Sequence, residues 1–321
     1  MKRFFVLILA LALVLCQGCA PQSTEQKNRI NVVCTVFPQY DFVKNIGKDK
    51  VNVTLLLPPG SEAHSYEPSP KDIITLSDAD LFVAIGGESE HWALHLMESE
   101  DLKDIPTLKL MDKTVKYTSE QKEGMEEAHD HKHGHIHDEN CEHHEEEYDE
   151  HIWTSPQNAI VMVEEICKSL CAIDSKNQDF YKANAKAYIA KLSKLKKDFE
   201  AVRSNAKRDT LVFGDRFPLR YLTEEFDLNY YAAFPGCSSK TEPSVDTIVF
   251  LSEKIKEENI PVIFYMDYSD GRIAGAIADE CGIKPARLYS CHNLSKDDFK
   301  SNKSYISLMY ENLSAIEEAI C

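Results

Sequence analysis

Phe180–Asn205 reads FYKANAKAYIAKLSKLKKDFEAVRSN, with Tyr181, Ala185, Tyr188, Leu192, Leu195 and Phe199 recurring at alternating steps of four and three. That spacing puts one apolar stripe on a helix, with lysines around the rest. An unbroken helix here runs on the order of 40 Å at 1.5 Å per residue. Apolar strand-like runs alternate with helical patterns on both sides of it, which argues for α/β layers with parallel sheets. Before it, strands are expected at Ile30–Val36, Val51–Leu57, Leu81–Ile85 and Thr107–Leu110. After it they are expected at Leu211–Phe213, Tyr230–Ala233, Val262–Met266 and Arg287–Tyr289. The reading is an α/β lobe over 30–176, a linking helix over 177–207 and a second α/β lobe over 208–321. One rigid rod between two lobes limits their relative motion, so a site between them is expected to be nearly preformed.

No Gly-x-Gly-x-x-Gly or phosphate loop follows any of these strands, which argues against nucleotide chemistry. The chain has 321 residues, 53 acidic against 36 basic, and a formal charge of −17. That balance excludes a protein built to lie along nucleic-acid phosphate. The acidity is local. Ser119–Glu150 holds thirteen acidic residues and two lysines, so this segment carries −11 of the total. It also holds His129, His131, His133, His135, His137, His143 and His144, seven of the twelve histidines.

The amino terminus reads as an export signal over 1–18. Lys2 and Arg3 precede an apolar run from Phe4 to Leu15, too short to cross about 30 Å of hydrocarbon. Gly18 before Cys19, followed by a polar tract, looks like a bacterial lipoprotein cleavage site with Cys19 as the lipid-bearing residue. Cys16 stands where leucine is usual, and an ordinary signal peptide or uncleaved anchor is the alternative. Either way the body lies outside the cytoplasmic membrane, with residues 19–29 as a tether. Cys167 and Cys171, four apart in a helical pattern, are read as buried thiols and not as a bridge.

Chemistry gathers where the expected strands end, which is where open α/β sheets bind ligands. After the second strand, Pro58-Pro-Gly-Ser-Glu-Ala-His64-Ser-Tyr-Glu-Pro-Ser-Pro70 stiffens a loop around one histidine. A lone loop histidine is most often simply solvated. A second histidine stands in Asp149-Glu-His151-Ile-Trp-Thr-Ser-Pro-Gln-Asn158, just before a proline-initiated helix.

Together these two segments resemble the metal-binding proteins of bacterial ABC importers for zinc and manganese. The lipoprotein start, Glu90-His91-Trp92, the acidic histidine loop ahead of His151, the linking helix, Thr241-Glu242-Pro243-Ser244 and Leu294–Leu313 fit the same family. The resemblance covers essentially the whole mature chain. It implies two lobes joined by a long helix, one metal in the cleft between them, and His64 and His151 as ligands from the first lobe. It also implies an ABC permease and its ATPase as partners, a monomer, and membrane contact only through the lipid on Cys19.

The second lobe departs from the family pattern. Zinc-binding relatives carry a histidine three residues before the aromatic of a helix-opening motif, and here Val212-Phe-Gly214-Asp215-Arg216-Phe217 puts glycine there. Asp215 could supply an oxygen instead, or pair with Arg216, or cap a helix. The other second-lobe ligand in relatives is a carboxylate, at a position held here by His292 in Leu288-Tyr-Ser-Cys-His292-Asn-Leu-Ser295. The expected set is therefore His64, His151 and His292, with Asp215 or water as the fourth donor. Cys237 and Cys291 fall on nearby loops, open to a disulfide or, less readily, to thiolate ligation. Three imidazoles and one oxygen suit Zn²⁺ as the transported ligand, whereas Mn²⁺ calls for more carboxylates. Without His292 the manganese alternative rises.

The histidine-rich loop, about 120–148, has almost no apolar residues to pack, so disorder is expected there. It reads as a low-affinity zinc collector beside the cleft, with a solvated acidic insertion as the alternative. A zinc hydrolase would need an open metal position and a base, but His-Glu-x-x-His is absent. His91 and His95 offer only a superficial likeness to it, so no enzyme activity is expected. A metal-binding surface adhesin or chaperone with the same fold is the remaining alternative.

Overall fold

The computed structural model describes residues 29–63, 66–126, 148–236, 238 and 242–321. The export signal, Cys19, His64, the seven loop histidines and Cys237 lie outside the described residues. In the first lobe, β1 (Ile30–Cys34), β2 (Val51–Leu55), β3 (Leu81–Ala84) and β4 (Thr107–Lys109) form a parallel sheet ordered β2-β1-β3-β4. β3 is buried at all four positions, as its unbroken Leu-Phe-Val-Ala run requires of a strand covered on both faces. Helices α1 (Phe37–Gly47), α2 (Pro70–Ser77), α3 (His91–Met97) and α4 (Pro156–Ile173) accompany this lobe.

The linking helix α5 spans Gln178–Asn205, and its buried residues are the six of the predicted stripe. It packs on α1 and α4 from the first lobe and on α10 (Tyr305–Ile320) from the second. One hydrophobic core runs without interruption from Val32 through Tyr181, Leu192 and Phe199 to Phe213 and Leu308. The helix is thus built into both lobes at once.

The second lobe repeats the first lobe's topology: β5 (Thr210–Phe217), β6 (Asn229–Pro235), β7 (Val262–Met266) and β8 (Lys284–Leu288), ordered β6-β5-β7-β8 and parallel. Its helices before α10 are α6 (Arg220–Glu225), α7 (Val245–Glu258), α8 (Arg272–Cys281) and α9 (Lys296–Lys300). In each sheet the earliest strand has neighbours reached in opposite directions, between β1 and β3 and between β5 and β7. Such a reversal opens a crevice beyond the carboxyl ends of the strands. β5 carries a register shift between Phe213 and Arg216, a bulge of the kind that re-aims side chains beside binding sites.

Among the described residues Cys34, Cys167, Cys171, Cys281, Cys291 and Cys321 are free thiols. Burial, followed by the neighbouring Cys171, holds the Cys167 thiol up to about 12. Neither forms a bridge, and burial holds for Cys167 but not for Cys171, which is half-buried.

Candidate metal centre

The start of α4 fixes His151. Ser155 Oγ accepts from Asn158 N at 3.0 Å as an N-cap, Pro156 opens the helix, and a single 3-10 turn over Ile152–Thr154 precedes it. His151 therefore stands at a rigid entry and not in a free loop, and it is 2 % exposed. Asp149 Oδ1 accepts from the His151 backbone N at 2.8 Å and lies 3.0 Å from Nδ1. A carboxylate accepts, so the ring proton belongs on Nδ1 and the lone pair on Nε2. Burial disfavours the His151 imidazolium, but Asp149 and then Glu150 outweigh it and hold the pKa above its ordinary value.

His292 comes from the loop after β8. Cys291 adopts φ 57°, a left-handed turn rare outside glycine, and buries its own thiol while His292 turns into the cleft. The His292 carbonyl accepts from Phe37 N of the first lobe at 3.1 Å. Asn293 Nδ2 donates to the carbonyls of Pro58 and Ser61 at 2.8 and 3.0 Å, and Gly60 N donates to Leu294 O at 2.7 Å. The second-lobe loop is thus fastened to the first-lobe loop that leads to His64. Trp153 completes the frame: its Nε1 donates to Ser290 O at 2.8 Å, and the Tyr305 hydroxyl donates to Trp153 O at 2.6 Å.

Between these loops lies a small cavity open to solvent. Ala63, next to His64, lines it together with Glu62, His151, Arg216, Asp267, Tyr268 and His292. The His151 and His292 rings meet edge to face at its wall, centroids 5.6 Å apart and planes at 88°. Two imidazoles sharing a tetrahedral metal at about 2.0–2.1 Å would hold their centroids about 5 Å apart, close to the spacing of this pair. Among the described residues no three His, Cys, Asp or Glu side chains already surround a single point.

Two second-lobe expectations meet different surroundings. Asp215 turns away from the cavity, accepting from Arg216 N at 2.8 Å and from Met266 N at 3.0 Å, so it ties β5 to β7. A Cβ at Gly214 would come within 2.8 Å of the Ala274 Cα on α8, so that position faces a helix backbone and not the cleft. Sequence reasoning missed Asp267. It follows β7 directly and lines the cavity, and Ser290 N donates to its Oδ1 at 3.1 Å. Burial pushes its carboxyl up to about 6 against hydrogen bonds from Ser290 that pull it down. The signal was available, since a carboxylate ends an otherwise apolar strand. Arg216 also faces the cavity, 3.7 Å from Glu62 of the opposite lobe.

Glu90, His91 and His95 do not line this cavity. Glu90 is buried beneath the first-lobe crevice, accepting from the Thr35 hydroxyl and from Gly86 N, and burial raises its carboxyl to about 7. His91 and His95 lie exposed on α3 with their rings stacked 6.4 Å apart.

Two parallel-sheet lobes thus share one helix and enclose a small cavity between them. Residues 32–319 match the family of the periplasmic zinc-uptake complex component A, ZnuA, and the chain belongs to that family. It is 32% identical over 318 residues to the zinc-binding lipoprotein AdcA of Streptococcus pneumoniae R6, covering 99% of this chain and 61% of that protein. The chain therefore spans about three fifths of the AdcA relatives it matches. It is 30% identical to the high-affinity zinc uptake system protein ZnuA of Bacillus subtilis, over 98% of this chain and 96% of that one. The crystal structure of the Zn(II)-bound ZnuA-like domain of S. pneumoniae AdcA superposes with a TM-score of 0.73 at 30% identity, covering 91% of this chain and 99% of that chain.

Proposed function

We propose that this chain is an extracytoplasmic receptor that captures Zn²⁺ in the inter-lobe cavity and hands it to an ABC permease driven by its ATPase. The observation that carries this reading is the pair His151 and His292, one from each lobe, with ring centroids 5.6 Å apart at the wall of one cavity. His64 supplies the third imidazole from the loop that Asn293 fastens. Asp215 is left out of the ligand set because backbone amides occupy its carboxylate. Asp149 orients His151 as outer-shell carboxylates orient zinc-bound imidazoles. Membership in a zinc-uptake family and the zinc named for its relatives support the choice of metal. The receptor performs no bond chemistry.

In the same reading, residues 1–18 are removed on export and a lipid on Cys19 holds the monomeric receptor at the membrane through the 19–29 tether. The histidine-rich segment around 129–144 raises local zinc without forming the tight site. The test is chelator competition with Zn²⁺ on the wild-type chain and on His292→Ala. The first equivalent of zinc should bind tightly to the wild type and at least about 100-fold more weakly to the variant, beyond the loss typical of an outer-shell partner. Equal affinities would remove His292 from the site.

A further inference from the structure

His91 and His95 take no part in the cavity and stand one helical turn apart on the outer face of α3. The opposite face holds the helix in place. Ala93 and Met97 are buried there, and Trp92, Leu94 and Leu96 pack against the core of Val33, Phe82 and Ala84. Both histidines are exposed, the His95 side chain by 76%. Positions i and i+4 on a helix bring two side chains together, and a pair of histidines at that spacing can share one metal ion. The two rings already lie side by side, parallel within 5° and 6.4 Å between centroids.

A carboxylate supports the pair. Glu98 continues the same stripe, and its Oε2 lies 3.5 Å from His95 Nδ1. A proton held on Nδ1 toward that oxygen leaves the lone pair on Nε2, as carboxylates do for metal-bound histidines. At the other end Glu88, three residues before His91, is also exposed. The stripe Glu88, His91, His95 and Glu98 thus joins two nitrogen donors to two negative charges, which favours a cation at this surface.

We propose that His91 and His95 form a separate metal site on the surface of the first lobe, for a late first-row dication held by two imidazoles with water in its remaining positions. Imidazole donors suit copper, nickel and zinc, whereas magnesium, calcium and manganese call for oxygen. Both side chains are exposed, so they turn to aim two nitrogens at one ion without disturbing the core. With two protein donors the ion stays open to water and to exchange. The site does not depend on the receptor reading, because neither residue lines the cavity.

The experiment uses the full chain and Cu²⁺–iminodiacetate, a probe whose chelator leaves adjacent positions open for two imidazoles. Titrations are followed in ¹⁵N–¹H spectra through the indole N–H signals of Trp92 and Trp153, the two tryptophans of the chain. Bound copper broadens the signals of nearby nuclei, and Trp92 lies on α3 between the two histidines. In the wild type the Trp92 signal should broaden at low probe concentration. In His91→Gln and His95→Gln the concentration that halves it should rise about 100-fold, the lower end of what a second tethered donor adds. Unshifted Trp153 signals and unchanged melting temperatures are expected in both variants, since the replaced side chains are exposed. A wild-type Trp92 signal that withstands the probe would overturn the site. Equal broadening in the wild type and both variants would overturn it too, by placing the copper on other groups nearby.

Discussion

Removing the Asp149 carboxylate should weaken zinc binding by an amount its geometry sets. Asp149 Oδ1 receives two hydrogen bonds from His151, one from the backbone N at 2.8 Å and one from Nδ1 at 3.0 Å. Both residues are buried, at 6 % and 2 % exposure, so water does not substitute for the lost acceptor. Outer-shell partners of zinc-binding histidines are worth about 10–100-fold in affinity, which is about 1.4–2.7 kcal/mol. Asp149→Ala loses both bonds and frees the ring tautomer, so it belongs at the upper end, about 100-fold. Asp149→Asn keeps an acceptor oxygen and loses only charge, so about tenfold is expected. The two substitutions also differ from a simple packing defect in their pH behaviour. Burial opposes the His151 imidazolium while Asp149 raises its pKa above the ordinary value, so the wild type meets more proton competition as pH falls. The gap between wild type and Asp149→Asn should therefore narrow on acidification. Chelator competition at pH 7.5 and 6.0, read at the first equivalent, measures both effects. An Asp149→Ala variant that is folded and within threefold of wild type at pH 7.5 would refute the tautomer argument.

Asp41 gives a stability prediction that does not involve metal. Burial raises its carboxyl from an ordinary 3.8 to about 6, although the Tyr188 hydroxyl donates to it at 2.7 Å. The folded state holds this proton more tightly than the unfolded chain does. Its contribution is full below 3.8 and is lost as pH rises through 6, up to about 3 kcal/mol at 1.36 kcal/mol per pH unit. Asp41→Asn, which still offers Tyr188 an acceptor, should raise urea-unfolding stability at neutral pH and flatten its pH dependence between 4 and 6; an unchanged profile would count against it. Gly214→Ala should cost about 1–3 kcal/mol by overpacking, because the added Cβ meets the α8 backbone at 2.8 Å. Gly214→His should melt lower still and gain no zinc affinity, as differential scanning calorimetry and titration will show.

Apolar runs announce all eight strands and the linking helix, and the helix and the central strands bury those residues most completely. β8 begins at Lys284, before the expected Arg287, with an exposed first half containing Pro285. An edge strand tolerates proline and needs little apolar surface, so hydrophobicity does not mark its start. β5 runs to Phe217, beyond the expected Phe213. That extension decided the fate of Asp215: inside a bulged strand its side chain serves the backbone of β7 and does not sit on a loop facing the cleft. Asp267 stands one residue past the apolar strand β7, where no motif marks a lone carboxylate. The pairing of His151 with His292 could not follow from periodicity, since it depends on the left-handed turn at Cys291 and on cross-lobe bonds such as that from Asn293 to Pro58.

The placement of Trp153 gives the molecule an optical readout of its own cavity. Only two tryptophans occur in the chain, and Trp92 packs on Tyr66, 5.1 Å between rings, beside a separate first-lobe crevice. Trp153 is fully buried with its ring against both cavity imidazoles. Protonated imidazole quenches indole emission on contact, whereas a metal-bound imidazole cannot take up that proton. With Trp92 replaced by phenylalanine, the emission of the one remaining indole becomes a label-free signal for events at the cavity imidazoles.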